Sequence, residues 1–296
     1  MERYLDFTVD KTNFAGLEGF VQKLHDSGKR FVPILDPVIS SEETTPYNAW
    51  DTSNRSENGA DIADLTFLHY ENGSTYLGKM WPYAPTENCS NRKDTSTECQ
   101  AYSAYPDYMS AETRNWWKNN ILSFHENEIK FDGIWIDMNE PAHIRSFDDF
   151  SPTDSCDNNN PLNNPPYLPR IGHNNKNQDV LPSVELRGDN IWGKTVCMEL
   201  KQKSLENNQV EVDHYDVHSL YGYSEALATL PACEEATGER CLVVSRSTSA
   251  GSNVYRVSFL KCSFLGEKLV FRSKRSFLGE KRHFRSFFGV KTSFLG

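Results

Sequence analysis

The chain has 296 residues, of which 38 % are hydrophobic and 12 % aromatic, and carries a formal charge of −10 with a pI near 5.3. That length allows roughly two ordinary domains or one large barrel, and the acidic balance argues against nucleic acid as a partner of the whole chain. No apolar run approaches the roughly 18 residues needed to cross a bilayer, and no charged-then-apolar leader opens the sequence.

Residues 13–28 read as a helix, with Asn13 as N-cap, a stripe of Phe14, Leu17, Val21 and Leu24, and Gly28 at the stop. Residues 30–36 (R-F-V-P-I-L-D) follow as a strand, and Pro33 speaks against a central position in a sheet. The polar stretch that runs to about Tyr108 is too long for an ordinary connection and reads as a functional excursion. Residues 111–128 form a second helix, with Trp117, Ile121 and Phe124 on one face, and lead into a strand at 131–137. Residues 143–213 are loop-rich, with regular structure expected only in short pieces. A helix over 217–230 and a strand over 241–245 complete the pattern. Apolar, non-alternating strands separated by helices predict parallel β/α units buried on both faces. Three such units are visible, where a closed (β/α)₈ barrel needs eight.

After Arg256 the character changes. S-F-L-G occurs at 263–266, 276–279 and 293–296, with S-F-F-G at 286–289, at unequal offsets that fit no solenoid. Residues 257–296 carry nine Lys/Arg and two Asp/Glu, so the first 256 residues stand at −17, with 22 basic against 39 acidic side chains. The basic, Phe-rich segment reads as non-native or disordered low-complexity sequence. The competing reading is a binder of anionic surfaces. The expected domains are therefore 1–256 and a tail at 257–296.

Three N-x-S/T sequons, at Asn54, Asn72 and Asn88, together with seven cysteines, favour the secretory pathway. Cys89 and Cys99 bracket one polar loop and are candidates for a bridge, with connectivity left open. No Cys/His cluster has zinc-ligand spacing, so neither a metal nor any other cofactor is expected.

The chemistry centres on F-D-G-I-W-I-D-M-N-E-P-A (131–142). Side chains alternate along a strand, so Ile134 and Ile136 share one face while Trp135 and Asp137 share the other. In a (β/α)₈ barrel, the inward face at the C-terminal end of a strand opens onto the active site, which puts Asp137 where it can meet a ligand. Read on position alone, Asp137 could equally cap the next helix.

W-I-D-M-N-E-P (135–141) resembles the nucleophile signature of glycoside hydrolase family 31, in its α-glucosidase branch. L-D-F-T-V-D (5–10), I-L-D-P-V-I-S (34–40), G-K-M-W-P (78–82), W-W-K (116–118), H-Y-D-V-H-S-L-Y-G-Y-S-E-A (214–226) and S-R-S-T (245–248) resemble further family motifs, in the family's order. The resemblance implies an α/β fold, a partial (β/α)₈ TIM barrel of about strands three to five with long loop insertions. It implies a retaining α-glucosidase in which Asp137 is the nucleophile. Asp36 and Arg246 would bind sugar hydroxyls, Trp81 and Trp135 would wall the pocket, Met138 would join them at the substrate, and Glu140 would support the motif. His214 and His218 are expected to be scaffold. The expected partner is an α-glucoside or oligosaccharide.

The family's acid/base aspartate follows S-R-S-T in a segment reading like H-W-x-G-D-N, and nothing after Arg246 matches it; G-D-N at 188–190 lies upstream. A second substrate-binding aspartate of the family lies before the segment at which Met1 begins. The expectation is therefore a central piece of the catalytic barrel that does not fold stably alone and does not hydrolyse usefully. The alternative is a non-catalytic carbohydrate-binding remnant.

Overall fold

Two long helices and a parallel sheet organise the molecule. In α3 (Ala111–Asn127) the residues at 113, 116, 117, 120, 121 and 124 are buried, which is one face of a 3.6-residue period. Ser110 starts that helix by accepting from the Thr113 N–H at 3.3 Å, close to the expected boundary. The computed structural model describes residues 1–42, 47–53, 67–83, 99–143, 156–157, 159–166, 191–193, 195–207, 210–252 and 257–259. The sequons at Asn54 and Asn88, Cys89 and the S-F-L-G repeats lie outside them.

In chain order, the elements that position the site are α1 (Leu17–Asp26), β1 (Ile34–Leu35), β2 (Ile39–Ser40), α2 (Asn48–Ser53), β3 (Leu77–Tyr83) and β4 (Gln100–Ala104). Next come α3, β5 (Gly133–Ile136), β6 (Lys201–Lys203), β7 (Glu211–Asp213), α4 (Tyr221–Thr237), β8 (Leu242–Ser245) and β9 (Val257–Phe259). The main sheet has the order β1-β5-β8-β9, and all its neighbours are parallel. It thus holds the three strands expected from the sequence, and the fourth, β9, starts directly after Arg256.

Two expectations need correction near the N-terminus. The helix expected over 13–28 covers only 17–26, and Gly16 rather than Asn13 is its N-cap. The backbone N–H groups of Thr12 and Asn13, and the Asn13 side chain, all bond to the Asp10 carboxylate, which holds this stretch in a turn. The strand expected over 30–36 shrinks to Ile34–Leu35. Pro33 lacks a donor, but its carbonyl accepts the Trp135 N–H at 2.8 Å, so the chain still runs alongside β5. Among the described residues, β1 pairs in the main sheet with β5 alone, a place that tolerates Pro33.

The polar excursion contains structure of its own. β2, β4 and β3 form an antiparallel sheet, with an irregularity in β3 between Lys79 and Tyr83. The second loop-rich region contributes the β6–β7 hairpin, and a short helical turn at His214–Val217 follows it. Cys156–Cys197 and Cys233–Cys241 form disulfides. Cys99 is disulfide-bonded too.

α4 packs on α3, and the Trp117 indole N–H donates to Thr229 Oγ1 at 2.9 Å across that interface. Trp117 also meets Phe7 and Tyr108 edge to face, at 4.9 and 5.1 Å between ring centroids. The helix-side face of the sheet (Leu35, Ile136, Ser245) is fully buried.

Candidate active site

Strand register assembles the site. Leu35 lies opposite Ile136, and Ile136 opposite Ser245, so the next residues, Asp36, Asp137 and Arg246, form one row across three adjacent strand tips. The Asp137 N–H bonds to the Leu35 carbonyl at 3.0 Å, and the Arg246 N–H to the Ile136 carbonyl at 3.3 Å, which carries the pairing into that row. One layer below on the same face stand Ile34, Trp135 and Val244. These are partly exposed while their strand neighbours are buried, as alternation requires.

Arg246 is the hub of this row. Its Nε lies 3.2 Å from Asp137 Oδ1, but Nε and Nη2 donate to Glu140, at 2.8 Å to each carboxylate oxygen. Asp137 Oδ1 is buried and has no hydrogen bond, so the contact is an ion pair without an aligned donor. Arg246 Nη2 also sits 2.8 Å from Met138 Sδ, and Met138 adopts a left-handed backbone at φ 56°. This geometry gives Glu140 a partner that its sequence position did not reveal.

Asp36 is 6 % exposed, and its Oδ1 has no hydrogen-bond partner. Burial, and then the charge of Asp137, push its carboxyl up to about 7, against the opposing pull of Arg246. Behind it, both oxygens of the buried Asp6 face the Asp36 backbone N–H at 3.1 and 3.2 Å. The Asp6 carboxyl is raised well above the usual range, by burial and then by the charge of Asp36. Glu225 on α4 is fully buried and also raised well above its usual range by burial; Asn139 opposes the shift, Asp36 adds to it, and Oε2 has no partner.

Asn139 ties two strand tips together. Its Nδ2 donates to Ser245 Oγ at 2.9 Å and its Oδ1 accepts the Ser247 N–H at 2.9 Å. Gly222 is required beneath this junction, because a Cβ there would stand 2.5 Å from the Ser247 carbonyl oxygen and 2.9 Å from that of Asn139. Asp6, Gly222 and Glu225 lie inside family-like motifs but have no expected role there. The signal that identifies them is spatial, since each acts through a strand tip or packs beneath one.

Trp81 stands apart from the row. It lies on β3 of the antiparallel sheet, 41 % exposed, with its ring 6.3 Å from that of Tyr4. Tyr4 is two residues before Asp6, which connects this aromatic pair to the Asp36 side of the site. The His214 ring nitrogens contact Gln202 Oε1 at 2.6 Å and His218 Nδ1 at 2.9 Å. Burial lowers the His214 pKa well below its usual value. Among the described residues, no group of three or more His, Cys, Asp or Glu could hold a metal ion, and no helix is long and apolar enough to cross a membrane.

Residues 1–261 match the glycosyl hydrolases family 31 TIM-barrel domain. Intestinal sucrase-isomaltase of Oryctolagus cuniculus is 37 % identical over 252 residues, a match that covers 84 % of this chain and 12 % of that protein. Lysosomal alpha-glucosidase of Bos taurus is 32 % identical over 256 residues, covering 86 % of this chain and 22 % of that protein. The crystal structure of a glucosidase II alpha subunit superposes with a TM-score of 0.54 at 20 % identity, covering 87 % of this chain and 20 % of that one. The chain thus spans between about an eighth and a fifth of the length of these proteins.

Proposed function

The chain belongs to glycosyl hydrolase family 31, and from that premise we propose that it carries the nucleophile half of a retaining α-glucosidase site. The observation that carries the proposal is the row Asp36–Asp137–Arg246 at three neighbouring parallel strand tips. In this reading the ionised Asp137 attacks the anomeric carbon of a terminal α-glucoside and displaces the aglycone oxygen. A covalent glycosyl-enzyme results, which water then opens. Asp36 accepts hydrogen bonds from sugar hydroxyls, for which its unpartnered Oδ1 is suited. Glu140 holds Arg246 by two bonds, so the guanidinium stays in register beside Asp137 instead of sweeping across the pocket. Trp135 lies one layer below as an apolar floor, Met138 borders the guanidinium, and Trp81 with Tyr4 contributes a wall at the rim.

A retaining glycosidase needs a second carboxyl that protonates the leaving oxygen and later activates water. The sequence after Arg246 holds no counterpart of the H-W-x-G-D-N segment that supplies it in the family, and general acid assistance is worth about 10²–10⁴-fold. We therefore infer an uneven chemistry. A substrate whose leaving group needs no proton can glycosylate Asp137, whereas maltose-type substrates are not turned over. The disulfides, together with intestinal and lysosomal relatives, support placement in the secretory pathway.

The test is fluoride release from α-glucosyl fluoride, compared with glucose release from maltose. The expected result is a burst of about one fluoride per chain followed by a stall, with maltose untouched. Steady maltose hydrolysis that vanishes in Asp137→Ala would overturn the half-site reading. Binding of α-glucosides with no burst would favour the second reading, a non-catalytic sugar-binding remnant, which the missing acid/base segment favours.

A further inference from the structure

Glu225, on α4 and fully buried, belongs neither to the row of strand tips nor to the Arg246–Glu140 pair. We propose that Glu225 is a positioning residue for Asp137: its carboxyl holds Asn139, and Asn139 holds the β5 and β8 tips in the spacing that attack on the sugar needs. The proposal rests on the half-site reading and deepens it.

The first observation is a continuous path from helix to nucleophile. Gly222 and Glu225 are three residues apart on α4 and so share a face. Gly222 lets the helix backbone come close to the Asn139 and Ser247 carbonyls. Glu225, one turn further along, has the Asn139 side chain as a hydrogen-bond partner. Asn139 in turn donates to Ser245 Oγ and accepts the Ser247 N–H, both at 2.9 Å. Asp137 is two residues before Asn139, and Arg246 stands between Ser245 and Ser247. The Asn139 amide therefore clamps the residues that flank the row, and Glu225 sets where that amide lies.

The second observation is the state of the carboxyl itself. Oε2 has no hydrogen bond, and Oε1 lies 3.5 Å from the Tyr108 hydroxyl. The acids Asp6, Asp36 and Asp137 face it, with the phenols Tyr108 and Tyr221. Burial raises its pKa well above the usual range, against the Asn139 bond, and the charges of Asp36 and Asp137 add to the rise. These surroundings keep the group uncharged, so it can hold Asn139 without placing another anion beneath Asp137. For packing alone a hydrocarbon would suit this place better, because a buried carboxyl without full partners costs free energy.

The third observation is a firm seat. The Tyr108 and Tyr221 rings meet edge to face at 5.5 Å, and the Tyr221 hydroxyl donates to the Pro106 carbonyl at 2.8 Å. Tyr108 is braced in turn by Trp117 of α3. These rings have partners of their own, so the loss of the Glu225 carboxyl falls on Asn139.

The test follows fluoride release by the full chain over a range of α-glucosyl fluoride concentrations. The burst amplitude counts competent chains, its rate reports attack by Asp137, and its half-saturating concentration reports binding. Glu225→Ala is expected to keep amplitude and half-saturation but to slow the rate about 100-fold, the scale of a misplacement of about 1 Å. Glu225→Gln, uncharged and of the same shape, should return the rate to within about threefold of the parent. Glu225→Asp, one methylene short, should stay slow. An unchanged rate in Glu225→Ala, a Glu225→Gln as slow as Glu225→Ala, or a lost amplitude at unchanged rate, which is the mark of packing alone, would overturn the proposal.

A parent chain with no burst contradicts the half-site reading, and hydrogen exchange then decides the clamp separately. The Ser247 N–H, which Asn139 Oδ1 accepts, should exchange about 10-fold faster in Glu225→Ala than in the parent and in Glu225→Gln, while the N–H groups of α3 keep their protection. Equal protection of Ser247 in all three chains overturns the proposal whatever the burst shows.

Discussion

The two ends of the parallel sheet treat buried acids in opposite ways. At the N-terminal end Asp132 is well provided for. It accepts from the Phe31 N–H at 2.7 Å and Arg30 at 2.7 Å, and lies 2.9 Å from His25. Burial alone would raise its carboxyl, but those partners outweigh it and hold the group below its usual value. At the C-terminal end, Asp36, Asp137 and Glu225 each keep an oxygen without a hydrogen bond, and burial raises Asp6, Asp36 and Glu225. A fold gains nothing from unsatisfied buried carboxylates, each of which costs free energy. The lower end is thus a fastening, while the upper end leaves carboxylate oxygens without hydrogen bonds, as the proposed sugar site requires.

The largest effect expected from this contrast lies at the fastening. Asp132→Ala strips the Phe31 N–H, Arg30 and His25 of their shared partner and should cost about 2–3 kcal/mol in urea unfolding. A loss under about 0.5 kcal/mol would mean that the lower end is not held by this carboxylate.

Asp36→Asn should behave differently. Removing a carboxylate whose Oδ1 is unpartnered should leave stability at pH 8 unchanged or higher by about 1 kcal/mol, while α-glucoside binding weakens by about 2 kcal/mol, roughly 30-fold. If stability and binding fell together, Asp36 would be structural and the contrast between the ends would dissolve. Calorimetric titration beside thermal unfolding reads both quantities.

A smaller effect is the pH dependence. Asp36 and Asp107 both have carboxyls raised to about 7, in each case by burial first. Between pH 6.5 and 8 the unfolded chain binds no proton at these groups while the native chain gives its protons up. Stability therefore falls as pH rises through this window, by roughly 1 kcal/mol for each group. Histidines lowered by burial, such as His214, are neutral in the native chain here and lose stability only below their unfolded value, so they do not reverse the sign. Asp36→Asn should remove about half of this slope. A flat profile would show that the upper acids are not raised.

Much of the upper end was legible in the sequence, because an apolar run closed by a charged residue is visible without a structure. Asp36, Asp137 and Arg246 each end such a run, and strand pairing alone brings them into one row. Glu140 was in view but its partner was not, since Arg246 is 106 residues away. The antiparallel sheet stayed hidden because β3, with Gly78, Lys79 and Pro82, breaks both alternation and donor continuity, and its ladder shifts register there. Asn13 looked like a helix cap by residue type, but its own backbone N–H and side-chain amide both donate to Asp10, which holds it in the turn before the helix. Asp6 and Glu225 could not be read as site residues, because their proximity to Asp36 depends on packing behind the strand tips rather than on any local pattern.

The central claim is that Asp137 becomes covalently bonded to sugar. The direct measurement is incubation of the full chain with a fluorinated α-glucosyl fluoride, followed by proteolysis and mass spectrometry of the peptide spanning 131–142. The account predicts one sugar adduct on Asp137, absent in Asp137→Ala, which should remain as stable as the parent chain. An adduct on any other carboxyl, or none in a chain that still binds α-glucosides, would contradict it.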